Sequence, residues 1–136
     1  MTKIPKTRRQ LLIAVCALLA VAWTPLVAHH SFGDMYLESD NVEIDGTIVE
    51  FQYKNPHSWV FVEAKDTFGQ EKVYGAEWVS TSQLERAGIT KDTLKVGDRV
   101  QIWGSPSKRV TEAKLHLKRM RRSDGWEWRG RPNAQR

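Results

Sequence analysis

The sequence predicts an all-β domain with one short helix, arranged as a five-stranded barrel. Three observations support this prediction: five segments of alternating apolar and polar residues, glycine- and proline-containing turns between them, and a single short helical segment. Cysteine does not contribute, because the single Cys16 lies in the N-terminal apolar run. Packing rather than disulfide bonding must therefore stabilise the domain.

The first predicted strand is the longest, and its apolar face changes along its length. It covers residues 42–53, with Ile44 and Ile48 on one face and Phe51 on the other. Gly46 lies near this change, and a glycine inside a strand is typical of a bulge or a bend. We therefore expect this strand to serve two parts of a curved sheet.

The second and third strands are predicted to form a hairpin. Asn55-Pro56 ends the pairing of the first strand, because proline has no amide hydrogen and restricts the residue before it. The second strand then covers residues 58–64 and the third residues 71–79. A turn at residues 66–69, which ends in glycine, connects them.

A short helix and two further strands complete the predicted domain. Ser82 and Glu85 have the spacing of a capping box, and Gly88 can end the helix. The fourth strand covers residues 99–103 and the fifth residues 110–120, with Leu115 and Leu117 facing inward. Three strands, a helix and two strands, with a bent first strand, is the order of the OB-fold, an oligonucleotide- and oligosaccharide-binding barrel.

The first 28 residues have the features of a secretory signal peptide. A basic start precedes an apolar run over residues 11–22 and the small residue Ala28. The run is too short for a transmembrane helix, which needs about 20 apolar residues. Cleavage after Ala28 is favoured over cleavage after Ala22, because the latter leaves a very short apolar region. Arg8-Arg9 also fits a twin-arginine signal, although ordinary unfolded export is the default.

Processing would leave a single exported domain with an uneven charge distribution. We expect residues 29–41 to form an extended lead-in, residues 42–120 the barrel and residues 121–136 a basic tail. The signal contains four of the 21 basic residues and none of the 16 acidic ones, so the processed chain has a net charge of +1 instead of +5. We expect a periplasmic or secreted protein with no transmembrane span after processing.

Histidine placement suggests a metal site. Cleavage after Ala28 would put His29 at the new N-terminus, where its α-amine and imidazole, with His30, could bind a transition metal. His57, in Asn55-Pro56-His57-Ser58-Trp59, is a further candidate ligand. Nitrogen donors without cysteine favour Cu(II) over Zn(II). In the alternative interpretation, His29-His30 only begins a flexible terminus and His57 orders a turn.

These motifs also indicate a family. His29-His30-Ser31-Phe32, the segment Gly46 to Phe51, Asn55 to Trp59, and the stretch from Gly88 to Asp98 resemble a family of small exported bacterial proteins catalogued as a domain of unknown function. The resemblance covers nearly the whole processed chain. It implies export and a small β-barrel, and it implies no activity or ligand set.

Two further surfaces are candidates for binding an envelope component. Trp59 and Phe61 could stack against sugars or other planar groups, although strand aromatics more often pack in a core. The basic tail could contact an anionic surface, although charge runs are usually just solvated. Its candidate residues are Arg121, Arg122, Arg129 and Arg131.

No enzymatic activity is predicted. The sequence has no serine nucleophile motif, phosphate-binding loop or dinucleotide fingerprint. Export argues against nucleic acid as the physiological partner. His116 lies between Lys114 and Lys118 on the outward side of the fifth strand, so we expect it to be a surface residue.

Overall fold

A computed structural model describes residues 32–130, and this range forms six strands and two short helices. The elements in chain order are α1 (Phe32–Met35), β1 (Val42–Gln52), β2 (Trp59–Lys65), β3 (Glu71–Glu77), α2 (Thr81–Arg86), β4 (Arg99–Pro106), β5 (Lys114–Arg122) and β6 (Glu127–Arg129). None of the described helices has the length and apolar character needed to cross a membrane.

The sheet closes into a barrel in the order predicted from the sequence. β1 pairs antiparallel with both β2 and β4, β2 pairs with β3, and β4 pairs with β5. A short parallel pairing between β3 and β5 joins the two ends of the sheet. The OB-like fold prediction is thus confirmed: five strands form a closed barrel, and α2 lies between β3 and β4 in the chain.

β1 serves two parts of the sheet, as its changing apolar face predicted. Its first half pairs with β4 up to Thr47, and its second half pairs with β2 from the same residue onward. The irregularity in register lies between Ile48 and Glu50, so placing the bulge near Gly46 was wrong. Gly46 is instead required by close packing, since an added Cβ would lie 2.3 Å from the backbone oxygen of Glu63.

The short helix α2 starts earlier than its predicted capping box. Ser80 is the N-cap, and its backbone amide donates to Gln83 Oε1 at 3.3 Å, so assigning the box to Ser82 and Glu85 was wrong. Glutamine fills this role as well as glutamate does. The predicted end is confirmed: Gly88 has a φ of 75°, and the Ile89 amide donates to an oxygen inside the helix.

The barrel interior is filled by one apolar cluster, and Trp78 is among its largest fully buried members. Leu115 and Leu117 face inward, as the alternation of the fifth strand predicted. The buried apolar members are Ile44, Ile48, Val60, Val62, Ala64, Ala76, Trp78, Leu84, Ile89, Leu94, Val100, Ile102, Leu115, Leu117 and Met120. These side chains leave the charged groups outside the barrel or at its ends.

The described residues of both segments that flank the predicted barrel pack on it. Residues 121–129, grouped with the tail by the sequence, extend β5 to Arg122 and form β6 after a turn at Gly125. The lead-in contains α1, and Tyr36 forms a β-bridge with Ser107 at the end of β4. The N-terminal segment therefore crosses the outside of the barrel.

Candidate functional site

The loop before β2 is fixed on both sides of His57. Asn55 Oδ1 accepts hydrogen bonds from the backbone amide and the hydroxyl of Thr81, at 3.2 and 3.0 Å. On the other side, the amide of the buried Ser58 donates to the Val79 oxygen at 3.0 Å. The loop therefore presents His57 at one end of the barrel, close to the start of α2.

His57 contacts a carboxylate that is almost completely buried. Its Nδ1 lies 2.6 Å from Glu77 Oε1, and the hydroxyl of Tyr36 donates a hydrogen bond to Glu77 Oε2. Glu77 is 7% exposed, so both of its oxygens need such partners. One carboxylate thus connects the N-terminal segment, through Tyr36, with the β1–β2 loop.

The β3–β5 pairing, which closes the barrel, brings a second histidine next to Glu77. Glu77, at the end of β3, lies opposite Trp59 of β2 and beside His116 of β5. His116 Nδ1 lies 2.8 Å from Glu38 Oε1, and Lys118 Nζ lies 3.0 Å from Glu38 Oε2. Both described histidines therefore have a carboxylate at Nδ1.

The ring of Phe32 joins the two histidines. It stacks on His116 with 3.8 Å between ring centroids and an interplanar angle of 2°, and on His57 with 5.0 Å and 25°. We call these side chains the histidine cluster, which consists of Phe32, Tyr36, Glu38, His57, Glu77, His116 and Lys118. The cluster covers the β3–β5 seam from outside.

Neighbouring groups determine the protonation states of Tyr36 and Glu38 in the cluster. Burial raises the pKa of Tyr36 well above its usual range, and the hydrogen bond to Glu77 raises it further, so its hydroxyl stays protonated. Burial would also raise the pKa of Glu38, but hydrogen bonds from His116 and Lys118 outweigh burial and lower it. Glu38 is therefore held as a carboxylate.

The carboxylates also determine which ring nitrogens are available. Because a carboxylate oxygen accepts hydrogen bonds, Nδ1 of each imidazole carries the proton in the neutral ring, and Nε2 keeps its lone pair. Neither Nε2 atom has a hydrogen-bond partner within residues 32–130. A carboxylate at Nδ1 and a free Nε2 is the arrangement typical of a metal-ligating histidine. The same range contains no three His, Cys, Asp or Glu side chains arranged to share one metal ion.

The other predicted ligands and aromatic residues have different positions. His29 and His30 lie outside the described residues. Trp59 and Phe61 are half-buried on the outer face of β2, where their rings stack at 6.1 Å and 19°. Gly75 of β3 lies beside them, so no side chain of that residue covers the aromatic pair.

The predicted arginines are mostly engaged within the fold. Arg122 forms ion pairs with Asp98 and Asp124 at 3.2 and 2.9 Å, and Arg129 pairs with Glu127. Arg121 donates to Gln101 Oε1 at 2.5 Å and remains exposed. Arg131 lies outside the described residues. Arg121 and Arg129 belong to neighbouring strands of the sheet, with Glu127 opposite Arg121.

His116 is the functional candidate that sequence reasoning missed. Its side chain is 13% exposed, so the expectation of a simple surface residue was wrong. The side chain does point away from the barrel core, but Phe32 and Glu38 cover it there. The available signal was the polar segment after His29-His30, in which Glu38 follows Tyr36 closely and offers a carboxylate to a histidine.

The comparison with protein families agrees with the family resemblance. No curated protein matches the sequence. Among solved structures, the mitochondrial single-stranded DNA-binding protein Rim1 of S. cerevisiae is 16% identical with a TM-score of 0.47, over 62% of this chain and 93% of that chain. A likeness of this size carries no information about ligands. The model of a family of unknown function matches residues 16–116, which is most of the chain, and the protein therefore belongs to that family, DUF6152.

Proposed function

We propose that the protein is an exported binding module that holds one Cu(II) ion between His57 and its processed N-terminus. The observation that carries this proposal is the state of the His57 ring. Glu77 occupies Nδ1 at 2.6 Å, and Nε2 has no partner among the described residues. The buried carboxylate would orient the ring and raise its basicity as a ligand.

The position of Phe32 supports a contribution from the N-terminal histidines. Phe32 stacks on His57, and His30 precedes Phe32 by only two residues. Backbone dimensions keep the Cα atoms of His30 and Phe32 within about 7 Å of each other. We therefore propose that the imidazole of His30, and the α-amine and imidazole of His29 after cleavage at Ala28, can reach His57. Such a nitrogen donor set favours Cu(II) over Zn(II).

His57 is a better ligand candidate than His116. The side chain of His57 is 32% exposed, compared with 13% for His116, so an incoming ion has better access to it. The role of His116 in this proposal is to position Phe32 by stacking. The two histidines therefore provide a matched pair of variants with the same substituted side chain.

The experiment is a titration of the exported, processed protein with Cu(II) in the presence of a competing chelator. We expect His57→Gln to weaken Cu(II) binding by more than about tenfold, and His116→Gln to weaken it less. Electron paramagnetic resonance should show nitrogen coupling that His57→Gln reduces. Unchanged affinity in a folded His57→Gln variant would contradict the proposal, and equal losses in both variants would contradict the choice of His57.

A second candidate function is supported by the aromatic pair on β2. Trp59 and Phe61 form a stacked, outward-facing surface beside Gly75, which would suit a sugar ring of an envelope polysaccharide. We expect Trp59→Ala to abolish retention on immobilised peptidoglycan fragments, with Phe68→Ala as the control because Phe68 is an exposed aromatic residue of the β2–β3 turn. Equal retention of both variants would eliminate this candidate.

A further inference from the structure

A cavity beside the histidine cluster has the features of a small-molecule site. It has a volume of about 620 Å³ and lies between α2, β5 and β6. Its apolar part includes Phe32, Leu117 and Trp128, and its polar part includes Gln83 and Arg86. Ligand cavities of proteins commonly measure about 300–1,000 Å³ and combine an apolar lining with a few polar groups.

The lining carries positive charge and no negative charge. Arg86, Lys118 and Arg129 contribute to it, and no aspartate or glutamate does. Lys118 is already paired with Glu38 and Arg129 with Glu127. The side chain of Arg86 has no hydrogen bond or ion pair with any residue in the described range. One uncompensated guanidinium therefore faces a partly apolar space.

The neighbouring polar group adds a donor. Gln83 Oε1 accepts hydrogen bonds from the amide and the hydroxyl of Ser80, at 3.3 and 3.2 Å, which leaves its NH₂ group as the donor available to a ligand. The guanidinium of Arg86 can bind a carboxylate with two parallel hydrogen bonds. The ring of Trp128 offers a flat apolar surface in the same cavity.

From this arrangement we infer that the cavity binds a small organic monoanion with a carboxylate and a planar apolar body. Arg86 and Gln83 would hold the carboxylate, and Trp128 would pack against the planar part. This inference goes beyond the proposed copper site, because Arg86, Gln83 and Trp128 are not members of the histidine cluster.

The experiment uses the processed protein with a metal chelator present, so its outcome does not depend on copper. Naphthoate is the probe, and naphthalenemethanol, which has the same ring without the charge, is the neutral comparison. Binding is followed by the NMR shift of the Trp128 indole proton, assigned with Trp128→Phe. We expect naphthoate to shift this signal and to bind at least about tenfold more tightly than the alcohol, as a charge-assisted hydrogen bond implies.

Two variants test the assignment to Arg86. Arg86→Gln, on the exposed side of α2, should weaken naphthoate binding about tenfold. Arg99→Gln removes the same charge from an exposed site on β4, where Arg99 pairs with Asp45, and should leave binding unchanged. Equal binding of acid and alcohol, equal effects of the two variants, or an unshifted Trp128 signal would each overturn the inference.

Discussion

The side chain of Glu77 connects β3 with the N-terminal segment and with the β1–β2 loop. It lies at the end of β3, it accepts hydrogen bonds from Tyr36 and His57, and its register partner in β5 is His116. Leaving a buried donor without its acceptor costs about 1–3 kcal/mol. The positions of Tyr36 and of His57 in the β1–β2 loop therefore both depend on this carboxylate.

Replacing Glu77 with glutamine should separate its structural role from its electronic role. The Glu77→Gln side chain can keep one acceptor, but its NH₂ group would face either Tyr36 or His57. If it faces His57, the ring proton moves to Nε2 and removes the lone pair that copper needs. We expect the free energy of unfolding in urea to fall by about 1–3 kcal/mol and Cu(II) affinity to fall about 10- to 100-fold.

The control for this change is Glu63→Gln, which removes the same charge from an exposed position of β2. That variant should keep both the stability and the Cu(II) affinity of the parent protein. A Glu77→Gln protein that is destabilised but binds Cu(II) normally would show that the carboxylate supports only the fold.

Glu38 makes the stability of the protein depend on pH in the acid range. Hydrogen bonds from His116 and Lys118 lower its pKa below the ordinary value of 4.5 despite the opposing effect of burial. A lowered folded-state pKa means that the stabilisation is complete above the unfolded value and is lost as the pH falls through the folded value. Glu38→Gln should therefore lower the free energy of unfolding at neutral pH by about 1 kcal/mol.

The same variant should lose less stability than the parent when the pH is lowered below 4.5, because it has no carboxylate to protonate at this position. Urea unfolding at a series of pH values measures both effects. Parallel pH profiles for the two proteins would contradict the assigned role of Glu38.

Among the elements, β1 determines whether the barrel can close. Its two halves pair with different strands, and Gly46 packs directly against the backbone of β2. A Cβ at this position would lie 2.3 Å from Glu63 O and 2.6 Å from Val62 Cγ1. Gly46→Ala should therefore destabilise the protein by about 3 kcal/mol, since overpacking against backbone cannot be relieved by a rotamer change.

Thr47→Ala, at the next residue of the same strand, is the control for this substitution and should cost less than about 1 kcal/mol. Thermal unfolding followed by circular dichroism compares the two variants. A Gly46→Ala protein as stable as Thr47→Ala would mean that the two strands can separate locally without cost to the barrel.

Local patterns in the sequence predicted most of these elements, because the residues of one element determine its type, its apolar face and its end. The alternation around Leu115 and Leu117 identified the inward face of β5, and Gly88 identified the end of α2. The bulge was placed incorrectly, because a glycine can serve close packing as readily as a bend. The starting residue of α2 was also misplaced, since Ser80 with Gln83 and Ser82 with Glu85 have the same spacing.

At the level of the whole molecule, the candidate site was only half predictable. His57 was identified from its motif, whereas His116 was assigned to solvent because it points outward from β5. A strand's alternation separates the inside of a barrel from its outside, but it does not show which other segment covers the outside. The segment that covers His116 is positioned by the bridge between Tyr36 and Ser107, which joins residues that are far apart in the chain.

The proposed copper site makes binding depend on export, because the α-amine of His29 exists only after cleavage at Ala28. A processed chain that carries one additional alanine before His29 keeps every side chain but moves the amine away from the His29 ring. We expect Cu(II) affinity to fall at least about tenfold, comparable to the loss of a supporting group at a metal site. The His57→Gln and extended proteins each lack one part of the same ligand set, so both should bind Cu(II) more weakly than the processed protein. Intact mass of the exported protein identifies its first residue, and a chain that begins at Trp23, or an extended chain that binds Cu(II) as tightly as the processed one, would contradict the role given to the terminal amine.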